Sequence, residues 1–185
     1  VAYPTSTLPG LGCLPTEKGL DGLFYLKNRS EDQPVSLGVF SLEQAEDLVE
    51  VSDFVKSLLA DFPIGSITLI LDAKKELDSR LGGTRVAIRV FADPVARMLA
   101  KTVGPVTATS ANPSGVEPSN IVSIAAQSLE MNEDFVLDGV CPGGKGSTIL
   151  SIDRNEAENC GFSVTIMREG VVPQADVMAW MRKIR

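Results

Sequence analysis

The sequence predicts an α/β fold, a mixed β-sheet with helices packed on it. Three observations carry that expectation. Apolar runs of strand character alternate with amphipathic helical stretches from one end of the chain to the other. Residues 67–71 form an almost unbroken apolar run, the pattern of a strand buried on both faces. Several short strand-like runs also crowd the last third, which suggests a mixed rather than an all-parallel sheet. There is no internal repeat, low-complexity tract or linker, so we expect one domain over residues 1–185. The chain opens abruptly on Val1-Ala2-Tyr3 with no initiator Met, and we expect a trimmed N-terminus.

The elements follow in order. Residues 1–3 read as a first strand, running into a turn rich in Thr, Ser and Gly over residues 4–12. Residues 16–27 carry Leu20, Leu23, Phe24 and Lys27 at helical spacing behind Thr16, an N-cap type. A short strand over 35–40 precedes Ser41-Leu42-Glu43-Gln44, a capping box whose helix buries Leu42, Ala45, Leu48 and Val49. A second helix runs through Phe54, Val55, Leu58 and Leu59. Strand 67–71 comes next, then strand 86–91 with Arg89 set inside it. Asp93-Pro94 gives an N-cap and an N1 proline for a helix to about Lys101. Strand 106–109 enters a Ser-Ala-Asn loop, and residues 120–131 read as a helix with Ile121, Ile124, Ala125 and Leu129 on one face. Runs 135–137, 148–152 and 164–167 read as strands, and Val177, Trp180, Met181 and Ile184 mark a closing helix.

Composition narrows the chemistry. The chain has no His, and its three cysteines lie far apart, so neither a Ser-His-Asp triad nor a zinc site is expected. No segment reaches the ~18 apolar residues of a membrane span, and no signal-peptide pattern appears, so we expect a cytoplasmic protein without membrane contact. A formal charge of −7 argues against broad nucleic-acid binding. What remains is chemistry done by hydroxyls, backbone amides, Lys and Arg, the groups that hold phosphates and carboxylates.

Those groups cluster at strand ends. Lys27-Asn28-Arg29 closes the first predicted helix, either as a basic end facing the helix dipole or as a grip on polyphosphate. Arg89 sits among apolar neighbours, where its charge needs a carboxylate from the protein or from a ligand. Gly143-Gly144-Lys145-Gly146-Ser147-Thr148 looks like a P-loop, but Gly146 separates Lys145 from Ser147 and a strand follows, so that reading fails.

Taken in order, the segments resemble the YrdC/TsaC family of threonylcarbamoyl-adenylate synthases. The resemblance rests on Tyr3-Pro4-Thr5-Ser6-Thr7, Pro9-Gly10-Leu11-Gly12, Lys27-Asn28-Arg29 with Pro34, residues 68–71 and 86–90, Ser110-Ala111-Asn112-Pro113-Ser114-Gly115 with Pro118-Ser119, Gly146-Ser147-Thr148, and Met167-Arg168-Glu169-Gly170. Any one of these is weak, and the ordered set is specific. The resemblance implies a twisted sheet with a concave ligand face in a short, single-domain form. It implies synthesis of threonylcarbamoyl-AMP and pyrophosphate from L-threonine, bicarbonate and ATP, the first step of tRNA t6A modification. Lys27 and Arg29 would be the catalytic pair, holding ATP phosphates; Ser110, Asn112, Ser119 and Arg168 would complete the ATP side. Thr5, Thr7, Arg89 and Ser147 would face threonine, with Arg89 on its carboxylate. Mg²⁺ would bridge the phosphates without a protein cage, and the product would pass to a tRNA threonylcarbamoyltransferase with weak or no direct RNA binding.

The sequence departs from the family pattern at Ser6, where an acidic residue is usual, at Pro9 in place of Tyr, and at Ile64-Gly65-Ser66 in place of Pro-Gly-Pro. Two other readings are a YciO-like paralogue, against which the intact Lys-x-Arg and Ser-Ala-Asn segments speak, and an RNA-binding module, against which the acidity speaks.

Overall fold

The computed structural model describes residues 1–184. Eight strands form one mixed sheet: β1 (Ala2–Tyr3), β2 (Gly10–Leu11), β3 (Ser36–Val39), β4 (Ile67–Asp72), β5 (Arg85–Val90), β6 (Val106–Ser110), β7 (Thr148–Arg154) and β8 (Phe162–Arg168). Their spatial order is β1-β2-β6-β3-β5-β4-β7-β8. Only β3 with β5 and β4 with β7 run parallel, so the sheet is mixed, as the crowding of short strands predicts. The helices are α1 (Glu17–Lys27), α2 (Leu42–Glu46), α3 (Asp53–Asp61), α4 (Pro94–Val103), α5 (Val122–Gln127) and α6 (Gln174–Ile184).

Capping chemistry fixes the helix starts. Thr16, Ser41, Ser52 and Asp93 each accept a backbone N–H from the first turn of their helix. At α2 the Gln44 amide oxygen takes the Phe40 N–H, one residue earlier than in the usual capping box.

The two faces of the sheet differ. One face carries Leu37, Val39, Leu69, Leu71, Val86, Ile88, Leu150 and Ile152, which join residues of α1, α2, α3 and α6 in one core. The opposite face is only partly covered, by a smaller cluster in which Tyr3, Phe91 and Val106 pack with Ala96 and Ala100 of α4. The remainder of that face is an open cavity. The expectation that strand 67–71 is buried on both faces holds except at Ile70: Ile67, Leu69 and Leu71 enter the core, Thr68 is buried beneath the cavity, and Ile70 is half-buried on its floor.

Three further expectations change. Residues 135–137 are not a strand; a 3-10 turn (Glu133–Phe135) leads to a single bridge between Val136 and Ala2. The helix read over 120–131 is reduced to α5, because turns follow Gln127 and Glu130 adopts a positive φ of 53°. The segment 4–12, read as a plain turn, contains β2. Its glycines matter because Tyr3 lies flat against them: a Cβ on Gly10 would meet the Tyr3 ring at 2.6 Å. The Tyr3 hydroxyl then donates to Thr107 O at 3.0 Å, and its ring meets Phe91 edge-on.

Candidate active site

The open face holds a cavity of about 480 Å³. Strand alternation builds its floor in rows. Thr68 and Arg89 lie in one row, and Ile70, Ala87 and Ser36 in the next, since Ile70 pairs with Ala87 and Leu37 with Ile88. The N-terminal segment supplies one wall with Thr5 and Thr7, and the loop before β7 supplies another with Gly146 and Ser147.

Arg89 is the most buried of the cations that line the cavity, 8% exposed. Its Nε donates to Gly65 O at 2.9 Å, and one Nη donates to Thr7 Oγ1 at 2.8 Å and Ser6 Oγ at 3.3 Å. It has no carboxylate partner among the described residues. Thr7 is held in turn by Thr5, whose hydroxyl accepts the Thr7 N–H and donates to Leu8 O. Across the floor the Ser147 and Thr68 hydroxyls are 2.7 Å apart.

Arg29 reaches the cavity because α1 stops at Asn28, which takes a left-handed turn (φ 48°) that asparagine tolerates. The chain reverses there, so Lys27 points inward and Arg29 outward along the rim. Arg29 donates to Gln33 O and Pro34 O, and to no carboxylate. Arg168 enters from β8, donating to Ser147 O at 2.9 Å. Thr148 fixes this pairing from behind: fully buried, it accepts the N–H groups of Gly170 and Val172 and donates to Val172 O. Burial, and then the Arg168 charge, lowers the Arg29 pKa. Burial lowers that of Arg89, with Arg168 adding to it and Tyr3 opposing. Three guanidiniums thus face one cavity without a counter-ion. Such a group of half-desolvated like charges has a strong affinity for anions.

Of the residues expected from sequence, the cavity brings together Thr5, Thr7, Arg29, Arg89, Ser110, Ser147 and Arg168. It does not include Lys27, Asn112 or Ser119. Lys27 is 1% exposed, and its ammonium donates to the carbonyls of Ser110 and Asn112 while Ser114 N–H returns to Lys27 O. It pins the Ser-Ala-Asn loop from behind. Burial and then the Arg29 charge bring its pKa down to about 8. The Asn112 amide nitrogen ties the loop internally through Pro113 O and Val116 O, while its Oδ1 is buried without a partner. Ser119 accepts the Ile121 N–H ahead of α5.

Sequence reasoning missed Thr68, Arg85, Lys145 and Glu169 as lining residues. Lys145 and Glu169 form an exposed rim pair at 2.9 Å. The alternation of Arg85 with Ala87 and Arg89 was the available signal for Arg85.

The sequence model described as Sua5_yciO_yrdC, telomere recombination, matches residues 1–170. The chain belongs to the Sua5/YciO/YrdC family. It is 32% identical over 155 residues to a threonylcarbamoyl-AMP synthase of Pseudomonas fluorescens, covering 81% of this chain and 83% of that protein. The P. abyssi Sua5 structure complexed with L-threonine superposes with a TM-score of 0.77 at 26% identity, over 96% of this chain; the chain spans about half (52%) of that protein. E. coli YciO shares the fold at TM-score 0.69 and 22% identity, over 93% of this chain and 83% of its own. Family and fold thus agree with the resemblance read from the ordered motifs. Among the described residues, no helix is long and apolar enough to cross a membrane, and no group of three or more His, Cys, Asp or Glu could hold a metal ion.

Proposed function

We propose that this chain is a threonylcarbamoyl-AMP synthase, making threonylcarbamoyl-AMP and pyrophosphate from L-threonine, bicarbonate and ATP. The observation that carries the reading is the convergence of Arg29, Arg89 and Arg168, uncompensated, on a hydroxyl-lined cavity. The named relatives support it: the Pseudomonas fluorescens protein is a threonylcarbamoyl-AMP synthase, and the P. abyssi Sua5 holds L-threonine.

The reaction needs positioning and charge neutralisation more than a side-chain nucleophile. The threonine amine and bicarbonate condense to a carbamate with loss of water. A carbamate oxygen attacks the ATP α-phosphorus, the bond to the β-phosphate oxygen breaks, and pyrophosphate leaves. Arg89 takes the amino acid carboxylate beside the Thr5–Thr7 wall, and Ser147 faces the same ligand. Arg29 and Arg168 face the phosphates together with Ser110, while Lys27 and Asn112 hold the Ser-Ala-Asn loop behind and Ser119 caps the turn before α5. Mg²⁺ would enter with ATP and would offset the phosphate charge that Arg29 and Arg168 also face. The setting is the cytoplasm, where ATP, threonine and tRNA coexist, and the product passes to a tRNA threonylcarbamoyltransferase.

The test is pyrophosphate release from Mg-ATP, with and without L-threonine and bicarbonate. Release that needs both, with threonylcarbamoyl-AMP detected by mass spectrometry, is the expected outcome. ATP binding without release would defeat the proposal.

A further inference from the structure

Arg85 is a fourth arginine on the cavity, and its electrostatics are opposite to those of the other three. One Nη donates to Asp72 Oδ1 at 2.7 Å, and the other to Asp153 Oδ1 at 2.8 Å, Ser151 Oγ at 2.8 Å and Ile152 O at 2.9 Å. Its Nε has no partner among the described residues. One cation between two carboxylates leaves this end of the cavity with no surplus positive charge, so a phosphate has no reason to settle there.

Arg85 and Arg89 share a face of β5, four residues and therefore about 13 Å apart. Between them lie Ala87 and its cross-strand partner Ile70, two apolar side chains flanked by Ser36 and Ser151 in the same row. The cavity is thus polarised along the strands, from unpaired cations, past Ala87 and Ile70, to an end of net negative charge where Arg85 keeps free N–H donors beside the half-exposed Asp72 and Asp153 carboxylates. A nucleoside phosphate has the same order of parts: an anion, a flat-faced body, and an edge that carries hydrogen-bonding groups.

We propose that Arg85, clamped by Asp72 and Asp153 beyond the Ile70–Ala87 pair, reads the purine base of the nucleotide and so sets which way the nucleotide lies. This rests on the ATP-dependent reading above. The free Nε–H donates to a ring nitrogen, and a clamp carboxylate accepts from an exocyclic amine. Adenine places N7 beside N6–H₂ and satisfies both; guanine places N7 beside O6 and sets an oxygen against a carboxylate. The clamp therefore favours adenine.

Calorimetry on the full chain tests this with AMP, GMP and inorganic tripolyphosphate. Arg85→Met is expected to weaken AMP about tenfold or more, the effect of one hydrogen bond to a charged group. It should leave tripolyphosphate within about twofold and narrow the preference for AMP over GMP. Equal loss of tripolyphosphate would put Arg85 on the phosphates, and no change in either ligand would make it a staple between strands; both overturn the proposal. Arg85 bonds to β4 and β7, so Arg85→Lys guards against unfolding by keeping the charge but losing the fork. It should lose AMP affinity as well, and wild-type affinity in that variant would also overturn the proposal. Binding is read without turnover. A wild-type chain showing this dependence but no pyrophosphate release would sink the synthase reading alone.

Discussion

Replacing Arg89 by Met separates a ligand-binding charge from a structural one. The side chain is 8% exposed, its guanidinium meets only Gly65 O, Thr7 Oγ1 and Ser6 Oγ, and no carboxylate balances it. Folding therefore bears the cost of desolvating a cation. An apolar chain of similar length removes that cost, but leaves a carbonyl and two hydroxyls without their donor, about 1–3 kcal/mol each way. The two effects nearly cancel, and we expect Arg89→Met to melt within a few degrees of wild type. The binding effect does not cancel. A hydrogen bond to a charged group contributes about 1.5–3 kcal/mol, so loss of the threonine carboxylate's partner should weaken L-threonine roughly 10- to 150-fold. ATP binding measured without threonine should change far less. Calorimetric titration of both ligands, beside a thermal melt, decides it. Unchanged threonine affinity, or a variant that fails to fold, would refute the assignment of Arg89 to the substrate carboxylate.

Arg29→Met and Arg168→Met should each weaken Mg-ATP, and the double variant should lose less than the sum, because removing one charge relieves repulsion on the other; additive losses in a double-mutant cycle would disprove their coupling. Lys27 has its pKa lowered to about 8 from an ordinary 10.5, so the folded state binds fewer protons than the unfolded chain between those values. This group's contribution to stability is therefore least favourable below pH 8 and improves as pH rises toward 10.5. The denaturant-derived stability of wild type relative to Lys27→Met should rise across that window, and a flat difference would show Lys27 titrating normally. Gly170→Ala would set a Cβ 2.2 Å from Gly146 O, and should displace Ser147 and Arg168 with a measurable drop in both melting temperature and pyrophosphate release; unchanged activity would show that the loop yields.

Much of the fold was legible because local chemistry and tertiary packing agree. Thr16, Ser41 and Asp93 announce their helices, and the parity of Arg89 within 86–91 puts it on the cavity face. Disagreement came where a distant contact decides. Strand β2 has only two residues, one of them a glycine, and it exists because Tyr3 covers that glycine and β6 pairs alongside. Residues 135–137 have strand composition, yet a single bridge to Ala2 is all the pairing they find. Lys27 ends a helix, as a dipole-facing cation would, but its burial against Ser110 and Asn112 depends on a loop 83 residues away. Arg85 gave no motif, because its significance lies in Asp72 and Asp153 on two other strands.

The uncompensated arginines have a practical consequence. Arg29 and Arg89 both feel the charge of Arg168, so the empty protein holds mutual repulsion that any small polyanion relieves. Its melting temperature should therefore depend on the buffer, rising in phosphate or sulfate and falling in a zwitterionic medium of low ionic strength. The same anions would occupy the cavity and compete with substrate. Conditions that make this protein easiest to handle are the ones in which its activity would be hardest to see.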